Sequence, residues 1–242
     1  MRSLRHVFVE LLIALVVFGG CRSRESSGVT ESGTKTAAAP VEHGRAVDAV
    51  PRPRIVVLGD SLTAGFGLAP EQSFPAILQT RIDDAHLEYE IVNAGVSGDT
   101  SAGGLRRLDW ALDGDVSILI VALGANDGLR GLPADELRRN LGEIVERAQA
   151  RGAVVILAGM EAPPNLGPIY TQAFRDVYNG LAKEYGVHLI PFLLDPVAGL
   201  ESLNQRDGVH PNAQGARQVA DHVWATLRPI AEAHRRAHAT EP

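Results

Sequence analysis

From residue 54 onward the chain alternates short aliphatic runs with longer stretches in which apolar residues recur every three or four positions. The runs at 54–58, 88–92, 117–123, 153–159 and 188–191 are predicted strands. The first, third and fourth are almost unbroken Val, Ile and Leu, the composition of parallel strands covered on both faces. Between them, 73–83 places Phe74, Ile77, Leu78 and Ile82 at helical spacing. The stretch 133–151 opens on a proline suited to a first helical turn and lines up Leu137, Leu141, Ile144, Val145 and Ala148 on one face. Helices are predicted over 168–185 and 211–233 on the same grounds. This alternation predicts an α/β domain, a parallel sheet with helices on both faces, and no second domain.

In sheets of this kind ligands bind beyond the carboxyl ends of the strands, where connections part to opposite faces. The stretches that fall there, 59–67, 93–104, 124–131, 160–167 and 193–210, are polar and glycine-rich. The first contains GDSLTAG, with Ser61 at the end of a strand. Its side chain either caps the turn or presents a hydroxyl for chemistry, and as a nucleophile it needs a base within reach. The last contains RDGVHPNAQG, with Asp207 three residues before His210. One turn at that spacing sets a carboxylate against an imidazole, fixing its tautomer so that the other nitrogen takes a proton. An aspartate cap beside a surface histidine is the alternative. In LGANDG, Asn126 either donates its amide to a developing oxyanion or forms an Asx turn. In NAGVSGDTSAGG, Gly98 lets a backbone N–H approach a ligand closely. Neither GxxxxGK[ST] nor G-x-G-x-x-G follows the first strand, which argues against nucleotide binding.

Four ordered blocks, GDSLTAG at 59–65, NAGVSGDT at 93–100, GANDG at 124–128 and DGVHP at 207–211, resemble the SGNH hydrolases, the GDSL esterase and lipase superfamily. The resemblance covers roughly residues 54–230 and is greatest to the bacterial acyl-CoA thioesterase, lysophospholipase and arylesterase branch. It implies a three-layer α/β/α sandwich with a five-stranded parallel sheet, flavodoxin-like in outline. It also implies Ser61 as nucleophile, His210 as base and then acid, and Asp207 as its orienter. The N–H groups of Ser61 and Gly98 and the Asn126 side chain would form the oxyanion hole. Residues 160–174 are similar to a substrate-lining loop of that branch, which makes Leu166, Ile169 and Tyr170 the candidate lining residues. The implied substrate is a small acyl ester or thioester, with a medium acyl or aryl ester favoured. A carbohydrate O-acetylesterase and a non-catalytic lipid-binding module stay open as alternatives. Asp60, Asp99 and Thr100 read as loop braces, and Trp110 and Trp224 as packing. His234 and His238, at i, i+4 without an HExxH pattern, read as an exposed helix end. No metal and no cofactor are expected.

Charge and the chain's beginning add the setting. A formal net charge of −6, with no basic stripe outside the extreme ends, argues against a nucleic-acid partner. Arg2 and Arg5 precede LLIALVVFGG, an apolar run too short for a bilayer, which needs about 20 residues. A basic start, a short apolar run and small residues describe an export signal over 1–20. Phe18-Gly19-Gly20-Cys21 resembles a bacterial lipobox, departing from it at Phe18, where leucine is usual. Cys21 is the chain's only cysteine, so no internal disulfide forms. The expectation is a cell-envelope lipoprotein held to the membrane only through Cys21, periplasmic or anchored, with plain secretion as the alternative. Residues 21–52, rich in Ser, Gly, Thr, Ala and Glu, read as a disordered tether. The hydrolase domain is expected over 53–234 as a monomer, with a disordered tail over 235–242.

Overall fold

The computed structural model describes residues 52–238. Five strands, β1 (Arg54–Gly59), β2 (Glu90–Gly95), β3 (Val116–Ala122), β4 (Val154–Ala158) and β5 (His188–Ile190), form one parallel sheet in the order β2-β1-β3-β4-β5. The helices in chain order are α1 (Ser61–Ala64), α2 (Phe74–Asp84), α3 (Ser101–Arg106), α4 (Leu108–Ala111), α5 (Ala125–Leu129), α6 (Ala134–Ala150), α7 (Pro168–Tyr185) and α8 (Ala213–His238). The first crossover steps from β1 out to β2, and the later ones step the other way past β1. Right-handed crossovers therefore put their helices on opposite faces. Accordingly α2 packs on α8, while α6 packs on both α3 and α7. The result is the three-layer α/β/α arrangement.

The aliphatic runs form the middle layer because they have no face to spare for water. Ile55 to Leu58 and Ile118 to Leu123 are wholly buried. The register then fixes where chemistry can sit. Gly59 pairs with Gly95 on one side and Ala122 on the other, so three strands end at one level. The strand order reverses between β1 and β3, which marks the crevice where a ligand is expected. No described helix is long and apolar enough to cross a membrane.

The structure differs from the pattern-based expectation in three places. Strand β2 lies later than 88–92 and takes in Asn93 to Gly95, which the sequence suggested was loop. Pairing with β1 carries it on, and the Asn93 side chain donates to the Thr63 carbonyl at 3.0 Å. Helix α3 begins inside the expected loop 93–104, because the Thr100 hydroxyl caps it by accepting from the Gly103 N–H. Gly103 and Gly104 hide that helix from propensity. Finally, α8 runs to His238, past the 234 boundary and into the expected disordered tail. Its last turns are tied down by a 2.8 Å hydrogen bond between Tyr89 Oη and His234 Nδ1 and by Arg235 donating to the His86 carbonyl at 3.0 Å.

Candidate active site

The β1 strand ends at Gly59, and Asp60 immediately caps α1, its carboxylate accepting from the Leu62 N–H at 3.0 Å. A side chain at Gly59 would collide with Thr63, so this tight strand-to-helix turn requires glycine. Ser61 therefore stands at the first position of α1, above the carboxyl edge of the sheet, where its hydroxyl is presented to a cleft.

The segment after β5 brings the other groups to the same place. Asp207 Oδ1 accepts from the Val209 and His210 N–H groups at 2.9 and 3.0 Å, a turn that swings His210 toward α1. Asp207 Oδ2 lies 2.7 Å from His210 Nδ1, and His210 Nε2 lies 2.9 Å from Ser61 Oγ. An ionised carboxylate only accepts, so Nδ1 carries the proton and Nε2 accepts from the serine hydroxyl. The backbone N–H bonds, with the imidazole bond added, hold the Asp207 pKa down at about 2. Phe66 covers one face of the imidazole, with ring centroids 4.8 Å apart.

Asn126 is the second residue of α5, just beyond β3, where Gly124 at φ +116° caps the helix start. Its amide nitrogen donates to the Asp99 carbonyl at 2.9 Å and to Asp60 Oδ2 at 3.2 Å. Gly98 has φ +84°, and its carbonyl accepts from Arg130 at 2.8 Å. Asp60 is almost wholly buried, and burial raises its pKa from 3.8 to about 6 against the lowering effect of its hydrogen bonds. Beside Asn126, the buried Asp127 accepts from the Ser101 N–H and hydroxyl at 2.8 and 2.5 Å, which fastens α5 to the start of α3.

Ser61, Gly98, Asn126 and His210 all line one open cleft of about 640 Å³. Such a volume suits a small organic ligand. The apolar wall comes from Phe66, Leu129, Met160, Pro163, Pro164, Phe192, Leu194 and Val209, and Glu161 adds one carboxylate. Leu166, Ile169 and Tyr170 do not line it. The chain turns away at a short 3₁₀ segment, Pro164–Leu166, so Ile169 is 87% exposed. Tyr170 donates its hydroxyl to the Leu132 carbonyl at 2.6 Å and packs against Phe174. The earlier half of the same loop, Met160 to Pro164, supplies the wall instead. Among the described residues no group of three His, Cys, Asp or Glu side chains is placed to hold a metal ion. His234 and His238 stack on each other with centroids 4.1 Å apart, away from this cleft. Cys21 and the export signal lie outside the described residues.

A sequence model of the GDSL-like lipase/acylhydrolase family matches residues 57–218. Esterase TesA of Pseudomonas aeruginosa is 42% identical over 177 residues, which is 73% of this chain and 88% of that protein. Thioesterase 1/protease 1/lysophospholipase L1 of Escherichia coli K12 is 36% identical over 177 residues, covering 73% of this chain and 84% of its own length. The crystal structure of the psychrotrophic esterase EstA from Pseudoalteromonas, inhibited by monoethylphosphonate, superimposes with a TM-score of 0.71 at 34% identity, over 74% of this chain and 98% of that one.

Proposed function

The chain belongs to the GDSL-like lipase/acylhydrolase family and is a serine esterase of that family, and on that premise we propose that it cleaves its ester or thioester through an acyl group carried on Ser61. The observation that supports this most directly is the unbroken relay from Asp207 through His210 to Ser61 Oγ, at 2.7 and 2.9 Å, opening into the cleft. His210 Nε2 takes the Ser61 proton as Oγ attacks the carbonyl carbon. Asp207 stays ionised beside the imidazolium that forms. The tetrahedral oxyanion is held by the Ser61 and Gly98 N–H groups and the Asn126 amide. His210 then hands its proton to the departing alcohol or thiol, and the acyl group stays on Oγ. Water, deprotonated by the same nitrogen, attacks the acyl carbon, and His210 returns that proton to Oγ as the acid leaves. One hydrogen of the Asn126 amide is bonded to Asp60 Oδ2, and this 3.2 Å contact is the longer of its two. It is the one exchanged for the oxyanion.

The apolar wall of the cleft favours a medium acyl or aryl ester over a polar sugar ester. A series of p-nitrophenyl esters and acyl-CoA thioesters, run beside Ser61→Ala, tests both parts. Turnover should peak at a medium acyl length in the parent and vanish in Ser61→Ala while its circular dichroism is unchanged. Serine-independent turnover would reject the mechanism, and a preference for acetyl esters alone would reject the substrate reading. A fluorophosphonate should label the parent at Ser61 and leave Ser61→Ala unlabelled.

We also infer export to the cell envelope with acylation at Cys21, from the basic start, short apolar run and lipobox-like FGGC. Palmitate incorporation that persists in Cys21→Ser would refute the anchor.

A further inference from the structure

Arg107, at the junction of α3 and α4, was not singled out by any sequence pattern, yet its guanidinium uses three donors on three different segments. Nε donates to Asp99 Oδ2 at 2.6 Å, Nη1 to the Ala94 carbonyl at 2.7 Å, and Nη2 to the Gly59 carbonyl at 2.8 Å. Gly59 is covalently next to Asp60 and then Ser61, while Asp99 directly follows Gly98. The Asn126 amide, in turn, donates to both the Asp99 carbonyl and the Asp60 carboxylate. These bonds close a ring. It runs from Gly59 through Asp60 to Asn126, from Asn126 to Asp99, and from the Asp99 side chain back to Gly59 through Arg107.

We infer that Arg107 is a positioning residue for the oxyanion hole, its guanidinium locking the segments that carry Ser61, Gly98 and Asn126 into one register. It touches no substrate, since it does not line the cleft. Its effect passes through Asp99 and Gly59. A planar fork with fixed directions satisfies three acceptors at once, which a single ammonium at the end of a flexible stem does not. The ion pair with Asp99 is largely shielded from solvent, 18% and 17% exposed, so water does not replace it. A side chain at Gly103 would collide with the Asp99 carboxylate, so α3 leaves room for this pair. A displacement of about 1 Å between oxyanion donors and nucleophile is enough to cost on the order of 10²-fold in rate.

The inference rests on Asn126 being an oxyanion donor, and the test separates the two ideas. Arg107→Lys and Arg107→Met are assayed on p-nitrophenyl butyrate, with active sites counted by fluorophosphonate labelling, in the parent and in the Asn126→Ala background. In the parent, Arg107→Lys should lower kcat at least about tenfold with KM changed by less than about twofold, because ground-state binding is untouched. In the Asn126→Ala background the same change should cost clearly less than in the parent, since one of the three donors it aligns is already gone and only the Ser61 and Gly98 N–H groups remain to be displaced. Asp99→Asn breaks the ring at another bond and should reproduce the kcat loss, which covers the case of an Arg107→Met variant that does not fold. An unchanged kcat per labelled site with only a lower Tm overturns the proposal, as does an equal loss in both backgrounds. Parent-like kinetics in Asn126→Ala alone overturns the oxyanion reading and this inference with it.

Discussion

The loop that carries Ser61 and the loop that carries His210 each set a carboxylate beside that pair, and the two carboxylates live in opposite surroundings. Asp207 sits in an open turn, its side chain 42% exposed, with two backbone N–H groups and an imidazole N–H pointed at it. Everything around it favours the anion, and its pKa falls to about 2. Asp60 is 1% exposed at the foot of α1, and burial outweighs its hydrogen bonds to raise the pKa to about 6. The same functional group is therefore a permanent anion in one loop and a titrating group in the other. The difference matches the work proposed for each. Asp207 faces the imidazolium, where a steady negative charge helps. Asp60 braces the turn from beneath, accepting from the Leu62 N–H and the Asn126 amide.

Removing the steady charge should have the largest effect. Asp207→Asn leaves a similar shape but no longer enforces the proton on Nδ1. We expect kcat to fall on the order of 10³-fold, short of the roughly 10⁴ seen where such an aspartate is buried, because water reaches this one. The KM on p-nitrophenyl butyrate should change little. A loss under tenfold would show that Asp207 is only the cap of its turn. The activity limb on the acid side should also not follow Asp207, which stays ionised down to about pH 2.

Next in size is the partner of the buried carboxylate. Asn126→Ala should lose on the order of 10²–10³ in kcat, about 2.7–4 kcal/mol, as expected for one oxyanion donor. Stopped-flow detection of the acylation step checks it. A defect confined to deacylation, or none at all, would assign Asn126 to bracing alone.

The two carboxylates also differ in how far the sequence revealed them. The spacing of Asp207 allowed contact with His210, because three residues is a local relation that one turn satisfies, while the choice between orienter and turn cap rested on the resemblance of the four blocks taken together. Strands β1 and β3 were legible, since Ile55 to Leu58 and Ile118 to Leu123 leave no solvent face to misread. Asp60 could be read as a loop brace, but its burial and its contact with Asn126, 66 positions away, exist only once β1 and β3 lie side by side. Arg107 was invisible for the same reason, since its three acceptors come from three separate segments. The lining loop misled in a different way. Residues 160–167 were expected past the end of a strand, but which half faces the cleft depended on where the chain turned. The prolines at 163 and 164 turned it before Leu166.

The smallest effect on rate, and the one that separates the two surroundings most cleanly, is expected from Asp60→Asn. Its sign is opposite to the usual one for a carboxylate. In the unfolded chain Asp60 ionises near 3.8, but in the fold only near 6. Between those values the native state holds a proton that the unfolded state has already lost, so stability falls as pH rises through this window and then levels off. Ionised Asp60 thus opposes folding at neutral pH by about 3 kcal/mol. Asparagine cannot ionise, but it has one oxygen for two donors, the Leu62 N–H and the Asn126 amide, so one hydrogen bond worth about 1 kcal/mol is lost. Asp60→Asn should therefore be more stable than the parent by about 2 kcal/mol at pH 7, with the advantage gone at pH 4, as read from urea unfolding at both. Its kcat should drop only about tenfold, because Asn126 keeps its bond to the Asp99 carbonyl. An advantage of the same size at both pH values would mean that packing, and not the buried charge, decides the difference.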